Sequence, residues 1–204
     1  MAGETISESS FKAVINAPID KVDLADWVFG LPDAEYQRCS PAHIAAGASR
    51  TEDGKRMSIN VEMIGGSIVV QHFVEDVAEK HHVRLVSLSD TFSPNGPTRV
   101  QVAWELSVRP LDPGRCEFTN HVHGNATDEF HAFLARQGLP FEAAKQARRQ
   151  ASEEHNRIET PLFAKSIERH ALSGVETAGS PGQPHRDRLR RNTRRPVAIV
   201  EQGI

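Results

Sequence analysis

The sequence predicts an α+β domain, with a curved, seven-stranded antiparallel sheet around one long C-terminal helix and two short helices near the N-terminus. Three observations carry this. Runs of apolar-polar alternation at period two recur between residues 56 and 122, separated by turn signals. The pattern changes to helical period at about Thr127 and holds to about Leu172. A strand-like run and two short helical patterns precede the alternating segments, punctuated by Pro18, Gly30 and Pro32.

Taken in order, Phe11 to Ala17 reads as a first strand. Pro18 suits the first turn of a helix whose apolar members are Ile19, Val22, Leu24 and Trp27. Asp33 to Arg38 forms a second short helix, and His43 to Thr51 a strand. Asp53-Gly54 is a hairpin turn. Beyond it Met57, Ile59, Val61 and Met63 alternate with Arg56, Ser58, Asn60 and Glu62, so the first set is expected to face the core and the second water. Gly65-Gly66 turns the chain into a strand from Ser67 to Glu75, and another runs from His82 to Ser89. Asn95-Gly96-Pro97 and Asp112-Pro113-Gly114 bracket a strand carrying Val100, Val102, Trp104, Leu106 and Val108. Cys116, Phe118 and Val122 mark the apolar face of the last strand. Thr127 is the expected N-cap of the helical region, with Asp128 and Glu129 at its positive end. Gly138 and Pro140 interrupt that region. The long helix then runs from Phe141, with Pro161 expected to kink it.

The chain has 204 residues, 38% hydrophobic and 25% charged, enough to bury a core. Residues 1–172 read as one domain and 173–204 as a flexible basic tail with six arginines between Arg186 and Arg195. The tail holds three more basic than acidic residues; with the whole chain at -3, the remainder stands at -6. Cys39 and Cys116 fit no metal spacing and are expected as buried, reduced thiols. With no signal-like start and no long apolar run, a cytoplasmic protein is expected. Phosphate-loop, dinucleotide, nucleophile-elbow, zinc-type and Rieske-type motifs are missing, so no cofactor and no metal is expected.

Candidate site residues are polar groups where the pattern calls for apolar ones. Asn120 shares a face with Cys116 and Phe118, so it is either paired within the protein or offered to a ligand. His155 sits in the helical stripe with Glu159 one turn on, either an oriented acid/base or a structural pair beside Pro161; Asn156 joins either network. His72 lies in a strand of mixed pattern and is a pocket candidate if it points inward. Trp104, Met57 and Met63 are core or pocket wall. His121 and His123 share what reads as a solvated strand face.

The order strand, two short helices, six strands, long helix resembles that of the SRPBCC, or START-like, superfamily over roughly residues 8 to 172. The strings Tyr36-Gln-Arg-Cys-Ser-Pro-Ala-His43 and His155-Asn-Arg-Ile-Glu-Thr-Pro-Leu-Phe-Ala164 look like those of a bacterial branch of it, a superfamily that includes birch-pollen-allergen and polyketide-cyclase types. The resemblance implies a helix-grip fold with a cavity between sheet and long helix, and places Trp27, Tyr36 and His43 near the opening. The fold hosts carriers and enzymes alike. The first expectation is a binder of a small hydrophobic molecule, lipid-like or aromatic. The second is a cyclase, hydrolase or lyase using His155 as acid/base, oriented by Glu159. The third is an interaction module whose arginine-rich tail binds nucleic acid or a partner. An exposed sheet edge or the apolar run 197–200 offers a route to a homodimer.

Overall fold

The computed structural model describes residues 3–173. In chain order the elements are β1 (Thr5–Ile15), a 3-10 turn (Ile19–Lys21), α1 (Leu24–Gly30), α2 (Asp33–Arg38), β2 (His43–Arg50), β3 (Arg56–Ile64), β4 (Ser67–Ala78), β5 (His82–Ser93), β6 (Gly96–Asp112), β7 (Arg115–Ala126), α3 (Asp128–Gln137) and α4 (Phe141–Ser173). The seven strands form one antiparallel sheet in the order β1-β7-β6-β5-β4-β3-β2. Strands β2 to β7 follow one another by tight turns, and β1 returns to pair with β7. The long α4 packs along the inner face, chiefly over β1. None of the described helices is long and apolar enough to cross a membrane. The arginine cluster of the tail and the run 197–200 lie outside the described residues.

Local sequence accounts for most of the boundaries. Thr127 caps α3 by accepting a hydrogen bond from the Phe130 amide at 3.1 Å. Gly138 ends α3 in the left-handed conformation at φ 63°. The helix expected from Pro18 is divided in two. Val22 is extended, and Asp23 restarts the chain as the cap of α1, its carboxylate accepting from the Asp26 amide at 2.9 Å. The first strand begins six residues earlier than its apolar run, at Thr5, because backbone pairing with β7 holds a segment that alternation does not mark. Gly65, at φ +56°, turns β3 into β4 against α4; a Cβ there would stand 2.9 Å from Cβ of Ala151.

The face of β3 is the reverse of the expected one. Ser58, Asn60 and Glu62 point inward and are buried, whereas Met57 and Met63 lie on the outer face, Met63 at 44% exposure. His72 is likewise on the outer face of β4, whose inward residues are Val69, Gln71 and Phe73. The register explains it. Glu62 pairs with Val69, Asn60 with Gln71 and Ser58 with Phe73 on the inside, while Met63, Ile68 and Phe92 line up across three strands outside. On β5 the inward set continues as Val83, Leu85, Ser87, Ser89 and Thr91, leaving Leu88 exposed. Inward polar residues are therefore concentrated in β3 to β5. The apolar core of Ile15, Leu24, Trp27, Leu106, Phe118, Phe163 and Ile167 fills the opposite part of the grip.

Phe163→Ala is expected to cost about 3–5 kcal/mol, because it empties a fully buried aromatic site. Met63→Ser should change stability by less than about 0.5 kcal/mol, as an outer-face substitution. Urea denaturation of the two variants checks both. A large loss with Met63→Ser would place that residue inside after all.

Candidate functional site

Four ionisable side chains from three elements meet inside the grip. His43 opens β2 and lies directly opposite Glu62 of β3 in the strand register. His155 and Glu159 stand one turn apart on α4 and point at the same place. His43 Nε2 is 3.1 Å from Glu159 Oε2 and 3.9 Å from Glu62 Oε1. His155 Nε2 is 3.1 Å from Glu159 Oε2 and 3.2 Å from Glu62 Oε2. The last two contacts lack hydrogen-bond alignment, so His155 Nε2 is close to both carboxylates while bonded to neither among the described residues.

Other groups hold these four in place. The Tyr36 hydroxyl donates to Glu62 Oε1, and the Tyr36 ring stacks on His43 with centroids 3.9 Å apart. His43 Nδ1 lies 2.7 Å from the Tyr36 carbonyl, which can only accept, so Nδ1 carries the hydrogen. Asn120 Nδ2 donates to Glu159 Oε1 at 3.1 Å and to Thr160 Oγ1 at 3.2 Å. Trp104 Nε1 donates to Asn120 Oδ1 at 2.8 Å, which fixes the orientation of that amide. Asn156 Nδ2 donates to Ser9 Oγ at 2.8 Å and ties α4 to β1.

Burial disfavours charge on His155, but Glu159 and then Glu62 outweigh it and hold the imidazole protonated well above its usual range. Burial likewise pushes Glu159 up, but His155 and then His43 outweigh it and keep that carboxyl below its usual range. Desolvation, then the Glu62 charge, raises Tyr36 well above an ordinary phenol.

The cluster forms the polar floor of a cavity of about 50 Å³ between the sheet and α4, room for roughly four waters at ~10–15 Å³ each. Its walls include Ile6, Val69, Phe73, Val100, Val102, Trp104 and Phe163. Arg148 of α4 also lines it, half-buried, with Thr91 Oγ1 at 3.5 Å as its partner. Desolvation lowers the pKa of Arg148 with no carboxylate among the described residues to oppose it. Gln71, also on the wall, has its Oε1 buried without a partner among the described residues.

No family model and no curated relative matches the sequence. Solved structures do match the fold. The Zhui aromatase/cyclase from Streptomyces sp. R1128 aligns over 85% of this chain and 98% of its own, with a TM-score of 0.57 at 14% identity. The fold is the START-like helix grip. A START superfamily protein from Mycobacterium smegmatis aligns over 81% of this chain and 97% of its own, at 13% identity and a TM-score of 0.48.

Within this helix grip the residues expected from sequence divide into three groups. His155, Glu159, Asn156 and Trp104 line the cavity. Tyr36, His43 and Asn120 stand behind it as buried partners of the carboxylates. Trp27 is a core residue that donates to Ser166 Oγ at 3.1 Å, and Met57, Met63 and His72 face outward. His121 lies on the outer strand face beside Glu8 and Glu105. Cys39 and Cys116 are free and buried. Sequence reasoning misses Glu62, Asn60, Gln71 and Arg148. For Asn60 and Glu62 a signal exists, since Ser58, Asn60 and Glu62 alternate as regularly as the residues between them.

Asn120→Ala strands the Trp104 indole N–H and one oxygen of Glu159. It should cost at least about 2 kcal/mol in urea unfolding, since each stranded buried group costs about 1–3 kcal/mol. Desolvation and then Glu35 push the Cys39 thiol up to about 12. The native protein at pH 8 should therefore resist iodoacetamide at Cys39 and take label there only after denaturation. Rapid native labelling would contradict that burial.

Proposed function

We propose that the protein binds a small molecule with an apolar body and an acidic head group in the cavity between the sheet and α4. The observation that carries this is the cavity's composition: apolar walls, an ionisable floor and a guanidinium without a carboxylate partner among the described residues. A half-buried arginine left in that state is costly, and a carboxylate on the ligand would offset the cost with charge-assisted hydrogen bonds. The cavity's size admits a compact head group inside, with any ring or longer tail directed to the mouth. This supports a lipid-like or aromatic acid and narrows the wider class of hydrophobic ligands.

A second reading is an enzyme of the cyclase, hydrolase or lyase kind. It is favoured by His155 reaching the cavity between two carboxylates, and the Streptomyces neighbour, itself an aromatase/cyclase, gives it a precedent at the level of fold. Against it stands the state of His155. An imidazole held protonated by two carboxylates has no lone pair free to accept a proton at neutral pH and gives up its own proton reluctantly, whereas an effective acid/base has its pKa near the working pH. Binding without turnover therefore fits the geometry better.

Trp104 in the wall makes intrinsic fluorescence a usable reporter. Benzoate and octanoate are expected to change it, and their amides to do so more weakly. Arg148→Met should weaken the carboxylates about 10-fold or more and leave the amides unchanged, since hydrogen bonds to charged groups contribute about 1.5–3 kcal/mol. Val102→Trp should fill the cavity and abolish both. Equal affinities for acids and amides in wild type and Arg148→Met would remove the acidic head group from the proposal. No response to any of the four compounds would remove the binding role.

A further inference from the structure

We propose that His43, Glu62, His155 and Glu159 form a binding site for one divalent first-row transition-metal ion, with Zn²⁺ the best match. The site goes beyond the ligand-binding reading and does not depend on it. Each residue offers one ligand atom, and the four atoms lie within 4.8 Å of one another. A tetrahedral ion with bonds of about 2.0–2.1 Å separates its ligands by about 3.3–3.4 Å. Three separations among the proposed ligand atoms are 3.1, 3.1 and 3.2 Å, slightly under that value, so a small outward movement of the side chains admits the ion.

The hydrogen bonds around the cluster leave its inner atoms facing one another. With its Nδ1 facing the Tyr36 carbonyl at 2.7 Å, His43 aims Nε2 at Glu159 Oε2, 3.1 Å away. One oxygen of each carboxylate is occupied from behind, Glu62 Oε1 by Tyr36 and Glu159 Oε1 by Asn120. The remaining oxygens both approach His155 Nε2, which is nine-tenths buried and has no aligned partner among the described residues. A divalent ion at the centre takes one atom from each of the four residues and displaces the proton that His155 holds, so its uptake releases a proton. Outer partners of this kind, a carbonyl on the far imidazole nitrogen and donors on the far carboxylate oxygens, are those that orient metal ligands.

The donor set selects the metal. Two imidazole nitrogens with two carboxylate oxygens suit zinc and its neighbours better than Mg²⁺ or Ca²⁺, which take oxygen ligands almost throughout. Two carboxylates neutralise a divalent charge in a buried site. Glu62, His155 and Glu159 also line the cavity, so an ion held there is reachable from it. The local-motif rules that exclude a metal in the sequence do not apply, because the ligands come from two strands and a helix.

The test uses the full chain, stripped with a chelator and dialysed. Titration with Zn²⁺ should give one equivalent per chain and a higher Tm, and Mg²⁺ should give neither. Co²⁺ should give the strong visible absorption of a four-coordinate site. His155→Gln and Glu62→Gln should each weaken Zn²⁺ about 100-fold or more, beyond the roughly 10–100-fold that losing an outer partner costs. The surface variant His121→Ala/His123→Ala should bind as wild type does. A weak six-coordinate Co²⁺ spectrum, no uptake, or loss of uptake only in the surface variant would each overturn the site. The wild-type Co²⁺ spectrum decides the matter even where a cluster variant fails to fold.

Discussion

Two buried carboxylates, Glu62 and Glu159, each 5% exposed or less, set the terms for the rest of this fold. An ionised carboxyl in a protein interior is tolerated only when paired and hydrogen-bonded. Here the partners come from every layer. Asn120 reaches from β7, the strand beside β1, Tyr36 from a short helix, His43 from the opposite edge strand, and His155 from the same helix as Glu159. The long helix can dock on the sheet in few positions that preserve all these contacts. The cluster therefore fixes the placement of α4, and with it the cavity above.

That constraint also accounts for the sheet's two unlike halves. Over β6, β7 and the N-terminal helices the inner face is conventional core, with Leu106, Phe118, Trp27 and Phe163 packed together. Over β3 to β5 the inner face turns polar through Asn60, Glu62, Gln71, Ser87 and Thr91, and apolar side chains move to the outside. Met63, Ile68 and Phe92 line up across strands there, with Phe92 at 49% exposure, and Leu88 stands outside at 51%. A cavity with a polar floor needs such an exchange, because a strand has only two faces and the inner one is taken.

Much of the fold is legible in the sequence because its signals are local. The short helix at Asp33–Arg38, the cap at Thr127, the hairpin turns and the extent of the long helix each rest on a few neighbouring residues. The pair His155 and Glu159 is legible for the same reason, since helical spacing alone brings i and i+4 together. The face of β3 is not. A period-two pattern marks two equivalent stripes, and only the docking of α4 decides which is inside. Assigning Met57 and Met63 to the core assigns Glu62 to water, and the site then loses one of its four members. Arg148 gives no signal at all, being one charged residue among several on a helix.

The decisive measurement is a crystal structure of the full chain grown with Zn²⁺, with anomalous data at the zinc edge. One strong peak is expected inside the grip, about 2.0–2.2 Å from His43 Nε2, His155 Nε2 and one oxygen each of Glu62 and Glu159. Asn60 and Glu62 are expected on the inner face and Met63 on the outer one. A map with Met63 inside, Glu62 in solvent and no peak between the histidines would contradict the strand register and the site together.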